Sequence, residues 1–457
     1  MCAFALALVL RPIATPGPAM RDFEAYHSAG AARNAGDDPY SRQLWRSERL
    51  VPGVDAGRDE LLPFVGPPFG LPLWAAFARL DYARAALLWS IVLALSFALL
   101  AAGSLRLVAP AASVFEYVAA LALGAGFGPL TSGLALGQVA VLACAAMVAA
   151  QFALRGRNVF AAAAGALVAA LQPNLGIALV ARLPERRATL AFALAGAVAI
   201  GCSAAALGAL DGLRQYLTNL GEHASAESGI AIQTTLGAVA GGLGAPAESA
   251  RAVGFAATLL VAAALVALFA GKRYGGIERF AVTSAALPLA LPFAHEHDFT
   301  IAFFPALLCA VRCTGRTWVV ASCATVCIAV DWLGLAQRPT GLLQSVCLAA
   351  VAALALAGLG ARDLGRRRFW PLAVVPLVAL AGLAAATHPL PIWPDALPAD
   401  FRVERTLGNA AVWRSEQLAT GLGKRDAVWA ALRACSLAGC LALAVAAARG
   451  LRAPARD

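Results

Sequence analysis

Charge is what this sequence has least of. Asp, Glu, Lys and Arg make up only 14% of its 457 residues, while 60% are hydrophobic. A soluble domain carries about 25% charge, so an ordinary soluble fold is excluded. Period-two alternation is also missing, which excludes a transmembrane β-barrel. No P-loop, GxGxxG, HExxH or GxSxG occurs. Nucleotide hydrolysis, dinucleotide chemistry, zinc proteolysis and α/β-hydrolase catalysis therefore lack their usual residues. CxxC is absent as well. Most of the ten cysteines lie inside apolar runs, and the pairs Cys309/Cys313 and Cys323/Cys327 are four apart, on one helix face. Without nearby histidines they read as packing groups, and no metal site is expected.

What is present is a series of apolar runs of about 20 residues, the signature of an all-α polytopic membrane protein. The net charge of +10 does not point to nucleic acid, because the arginines fall in short clusters between apolar runs, as the positive-inside bias produces. The partner implied is the lipid bilayer. The chain reads as a single integral membrane domain, 1–457. A first helix lies within 1–19, and later spans fall near 83–105, 112–130, 137–154, 187–209, 251–271, 279–294, 299–312, 317–337, 340–361, 370–387 and 428–448. That makes about twelve transmembrane helices. Residues 69–80 are apolar but too short to span, and 158–183 is broken by Gln172-Pro173-Asn174; these read as interfacial or re-entrant segments. The alternative for 158–183 is a Pro-kinked span. With 20–68 outside, every main arginine cluster and both termini fall in the cytoplasm. Residues 20–82, 210–250 and 388–427 then lie outside.

The polar stretch 20–68 follows the first apolar segment directly. A juxtamembrane helix is expected over about 22–35, ended by Gly36-Asp37-Asp38-Pro39. Asp22 stands just beyond the first helix, where a carboxylate can serve as a general base, cap the helix, or simply face solvent. Asp38-Pro39-Tyr40 is a turn, with Tyr40 either a membrane-interface anchor or a substrate contact. His295-Glu296-His297-Asp298 is the densest polar cluster in an apolar region, and ionisable groups there default to function. Histidines at i and i+2 do not share a helix face, which argues against a metal and leaves an anionic ligand or an empty loop end. Gln138, Gln172 and Asn174, at membrane depth, either bridge helices or line a polar cavity.

Taken in order, these features resemble glycosyltransferase family 87, the DUF2029 group. The features are an acid after the first helix, Gly36-Asp37-Asp38-Pro39-Tyr40, Pro67-Pro68-Phe69 leading to Leu71-Pro72-Leu73, Gly137-Gln138, Gln172-Pro173 and a late His-rich element. The resemblance covers about residues 1–315, with 316–457 as additional C-terminal helices around the loop 388–427. It implies a GT-C-like fold in a bacterial inner or plasma membrane. The implied reaction moves a hexosyl group, mannosyl among the options, from a polyprenyl-phosphate sugar on the extracytoplasmic side. No cofactor beyond that donor substrate is implied. Asp22 would be the base, and His295 and His297, with Glu296 between them, would face the donor phosphate. Gln138, Tyr40 and Asp38 would contact sugar or order the loop. Two positions depart from the family pattern: Gln172 replaces a frequent Lys before Pro173, and Phe64 stands where a Tyr is usual. Rival readings are a non-catalytic carrier or flippase of lipid-linked sugars, and an O-antigen polymerase or ligase-like protein.

Overall fold

The computed structural model describes residues 20–330 except 209, 229, 231, 272 and 273, then 341–360, and 397–451 except 424. The expected first helix in 1–19 and the span 370–387 lie outside the described residues. Within them the chain is helical and forms no strand. The juxtamembrane helix is Arg21–Ala35, within a residue of its expected start. The interfacial piece forms a 3-10 turn, Pro68–Gly70, running into the helix Leu71–Phe77.

Among the described residues, four helices are long and apolar enough to cross a membrane: Tyr82–Val108, Arg186–Leu207, Ala247–Ala270 and Ala427–Gly450. A fifth crossing arises if Val114–Ala125 and Gly128–Leu136, bent by 67°, act as one. That bend falls where Gly126 ends the first helix and Pro129 opens the second. Other expected spans are present as shorter helices. Val139–Arg155, Gly276–Ala290, Phe303–Arg312 and Gly315–Ala329 have 17, 15, 10 and 15 residues. About 20 are needed for a straight crossing, so helix length does not support a count of twelve. Small residues let the helices approach closely, as membrane packing requires. A Cβ at Gly165 would sit 3.0 Å from the Ala146 carbonyl, and one at Gly439 would sit 2.8 Å from that of Ala324.

The 27-residue Tyr82–Val108 helix is about 40 Å long at 1.5 Å per residue, and it separates two polar ends. At its start, Tyr82 Oη donates to Met20 O at 3.3 Å. The three segments assigned outside meet at this end. Arg58 donates to Leu397 O (2.6 Å), Arg42 to Glu404 O (2.8 Å), and Arg21 pairs with Glu416 (3.3 Å). Asn219, in 210–250, reaches Tyr40 O at 3.3 Å. At the far end of the helix, Arg155 donates to Leu107 O and Arg312 to Val108 O, and Arg312 pairs with Glu278 at 2.7 Å. The segments sorted by charge thus assemble at two separate ends of the molecule.

Candidate active site

Asp22 sits in the first turn of Arg21–Ala35, but it does not cap that helix. The N-cap is Met20, in a left-handed conformation with no side-chain cap bond. Asp22 Oδ2 instead accepts a 2.6 Å hydrogen bond from Gln138 Nε2, and Gln138 Oε1 accepts from Tyr26 Oη at 3.0 Å. Gln138 is fixed from behind. Gly137 ends the preceding helix at φ 79°, a conformation that favours glycine, and its carbonyl accepts from Trp89 Nε1 at 2.7 Å. Phe23 stacks on Trp89 with ring centroids 5.8 Å apart, and Tyr26 on Trp74 at 4.7 Å. An aromatic wedge therefore pins the helix that carries Asp22.

The segment 158–183 breaks where the sequence says it should. Val159–Ala169 ends before Gln172, and Pro173 restarts the helix. Gln172 Nε2 donates to Asp298 Oδ1 at 3.0 Å, while Asp298 Oδ2 accepts the His295 backbone N–H at 3.0 Å. The broken helix and the histidine turn are thus tied through one buried carboxylate. His295 and His297 have ring centroids 5.4 Å apart.

The node that sequence reasoning missed is Glu227, only 2% exposed. It closes the amphipathic helix Leu210–Glu227. Its Oε2 receives Gln233 Nε2 at 2.5 Å and meets His295 Nε2 at 3.0 Å. Its Oε1 receives Trp413 Nε1 at 2.5 Å and lies 3.0 Å from His223 Nε2. Burial alone would push this carboxyl up, but His223 and His295 outweigh it and hold it well below the usual range. Burial would likewise lower His295; the Glu227 charge reverses that, and its pKa is raised. For His297 burial prevails: it lowers the pKa despite Asp298, whose Oδ1 lies 4.0 Å from Nε2. The two histidines are thus biased towards opposite charge states. A readable signal existed in His223 and Glu227, which are i, i+4 on a helix in an outside segment.

Asp22, Gln138, Gln172, Asn174, His295, Glu296 and His297 all line one cavity of about 660 Å³, within the usual range for small-ligand sites. Trp413, Trp429 and Arg433 close it from the C-terminal region, and Leu136, Leu171 and Leu291 give it an apolar flank. Asp38 and Tyr40 are not brought to it. Asp38 Oδ1 accepts the Tyr40 N–H at 2.9 Å, and Tyr40 Oη donates to Gly66 O at 2.8 Å. Both side chains order the loop, and Tyr40 lines a smaller cavity of about 200 Å³ instead.

Among the described residues an all-helical fold gathers Asp22, Glu227, Glu296 and Asp298 with His223, His295 and His297 from distant segments around one cavity. The model of glycosyltransferase family 87 matches residues 64–294, just over half the chain, and the chain belongs to that family. It is a glycosyltransferase by family. No curated protein and no solved structure shows significant similarity to it. Gln138, Gln172, Asn174, His223 and Glu227 fall inside the matched stretch, while Asp22, His295, His297, Trp413 and Arg433 flank it.

Proposed function

We propose that the chain transfers a hexosyl group from a polyprenyl-phosphate sugar to an acceptor hydroxyl at the extracytoplasmic face of a bacterial membrane, within a GT-C-like fold. The observation that carries this reading is the convergence of Asp22 with His295 and His297 on a single cavity, in a member of glycosyltransferase family 87. In this reaction Asp22 takes the proton of the acceptor hydroxyl. The oxygen attacks the anomeric carbon, the bond from that carbon to phosphate breaks, and polyprenyl phosphate leaves with the electron pair. A single displacement inverts the anomeric centre. Gln138 aims the Asp22 carboxylate, and holding a base in position is where general-base catalysis gains its efficiency. His295, whose charged form Glu227 favours, offsets charge gathering on the departing phosphate. The apolar flank suits the prenyl chain.

Sidedness follows from the arginine clusters. The end that holds 20–82, 210–250 and 397–427 faces outwards, and the arginine-rich end faces the cytoplasm. Shorter helices such as Phe303–Arg312 then complete crossings together with the turns that flank them, towards a total of about twelve.

The test is donor dependence. Membranes containing the chain are incubated with radiolabelled polyprenyl-phosphate mannose, glucose and galactose, each supplied separately. Label should move from one of these donors into a product that membranes without the chain do not make. Transfer from none of them, with the protein inserted, overturns the transferase reading in favour of a carrier.

A further inference from the structure

The helix Asn409–Ala419 lies beyond the stretch matched by the family model, and it holds both halves of the site. Its buried residues are Val412, Trp413, Glu416 and Gln417, a stripe at helical spacing along one face. Trp413 and Glu416, three apart, are neighbours on that face, yet their side chains grip different elements.

Glu416 serves the half that carries the base. Its Oε1 accepts from Arg21 Nη2 at 3.3 Å, and its Oε2 accepts the buried Leu61 N–H at 3.0 Å. Arg21 precedes Asp22 in the first turn of Arg21–Ala35, a turn without a side-chain cap. Leu61 precedes Leu62 and Pro63, which wall the main cavity. Trp413 serves the histidine half. Its Nε1 donates to Glu227 Oε1 at 2.5 Å, and Glu227 Oε2 meets His295 Nε2 at 3.0 Å. Arg414, the next residue, adds a 2.7 Å bond to Ala226 O. One turn of helix thus spans from the elements that hold Asp22 to those that hold His295. The helix Leu210–Glu227 also meets the first loop directly, through Asn219 to Tyr40 O and Tyr216 to Val65 O. Neither of those joints engages Arg21, Leu61 or Glu227.

Displacement needs base, attacking oxygen and leaving phosphate aligned, and an error of about 1 Å can cost about 100-fold in rate. A buried ion pair adds little stability over apolar groups of the same shape; what Arg21 and Glu416 add is a fixed relative position. We propose that Asn409–Ala419 is a positioning clamp for transfer, with Glu416 and Trp413 as its two positioning residues. Glu416 sets the base half through Arg21 and Leu61, and Trp413 sets the phosphate half through Glu227. This rests on the sugar-transfer reading above.

The test is a double-substitution cycle on the full chain in nanodiscs. It is run at about pH 8, above the value of about 7 to which burial pushes Glu416. Trp413→Phe keeps the ring and removes the N–H. Glu416→Gln keeps the shape but sets an amide N–H₂ against one of the two donors. Each should lower kcat about tenfold with donor KM changed less, and the pair together should cost no more than about tenfold, because a clamp released at either end no longer holds. Losses that multiply to about 100-fold mark two independent contacts and overturn the proposal. An unchanged kcat in either single variant, or a loss confined to KM, overturns it too. Hydrogen exchange reads the clamp without turnover. Glu416→Gln should speed exchange at 221–227 as well as at 61–62, and Trp413→Phe at 61–62 as well as at 221–227, by up to about tenfold, the weight of one buried hydrogen bond. Acceleration only at the substituted end overturns the proposal. If Trp413→Phe fails to insert, Arg414→Ala loosens the same joint from the exposed side of the helix and takes its place in both measurements. Wild-type transfer with independent losses rejects the clamp alone. A wild type that transfers from no donor rejects the parent reading, and the role given to the clamp with it.

Discussion

In the proposed reaction Asp22 acts through the company it keeps. Gln138 holds one carboxylate oxygen at 2.6 Å and is itself held by Tyr26. Gln138→Ala should therefore lower kcat about tenfold, with the donor KM changed less, since it frees a base to rotate without removing it. An unchanged kcat would show that Gln138 does not orient the base. Glu227 affects His295 electrostatically. The raised His295 pKa keeps the imidazolium at pH values below it, and the cation is lost as pH rises through it. Glu227→Gln removes the raising charge, so the alkaline limb of the pH–rate profile should move to lower pH; a limb that stays in place contradicts the role. Asp22 was legible from sequence by its position after an apolar segment. Glu227 was legible only as the i, i+4 neighbour of His223; its other partners come from residues 233, 295 and 413, and no local pattern announces that convergence.

At the scale of elements, the loop 20–68 is held by buried carboxylates. Burial pushes Glu24 up to about 7, and Glu48 is also raised, chiefly by burial and then by Glu24 beside it. Glu416, which accepts the Leu61 N–H at 3.0 Å, is pushed up to about 7 by burial. The folded loop therefore favours the protonated forms. That contribution is full below about pH 4.5, the ordinary carboxylate range, and is lost as pH rises to about 7. Hydrogen exchange across 20–68 should accelerate over this window, and Glu48→Gln should flatten the dependence. A profile equally steep in the variant would remove Glu48 from the account. The Arg21–Ala35 helix meets Leu71–Phe77 at Gly30, where an added Cβ would strike the Trp74 carbonyl. Gly30→Ala should cost about 1–3 kcal/mol and lower the thermal midpoint, while Gly36→Ala at the exposed helix end should act through its positive φ alone. Both helices were readable from periodicity and proline placement. Their face-to-face packing was not, since Gly30 looks like a helix defect until its neighbour is seen.

Across the whole molecule, the charge pattern carried further than the span count. It grouped 20–82, 210–250 and 388–427 together, and the described parts of all three pack at one end. Counting apolar runs gave about twelve crossings, which the described helices do not by themselves establish: Gly276–Ala290 and Phe303–Arg312, separated by the turn Glu296–Ala302, are shorter than a straight span. Sidedness is open to direct labelling. In a chain with its ten cysteines replaced, Ala56→Cys should react with an impermeant maleimide in intact cells, and Arg157→Cys only after permeabilisation. The reverse pattern would invert the topology and place the cavity in the cytoplasm. The C-terminal region also contributes to the candidate site, because Trp413, Trp429 and Arg433 line the main cavity; the resemblance reached only to about residue 315 and gave no hint of them.

The central claim is that Asp22 is the base for glycosyl transfer, and one substitution addresses it. Asn at position 22 keeps an oxygen to accept from Gln138 and nearly the same shape, so it removes proton acceptance and little else. Single-turnover transfer from the donor that labels the wild type should fall by at least about 100-fold in Asp22→Asn, with donor affinity retained. A transfer rate equal to that of the wild type would contradict the assignment.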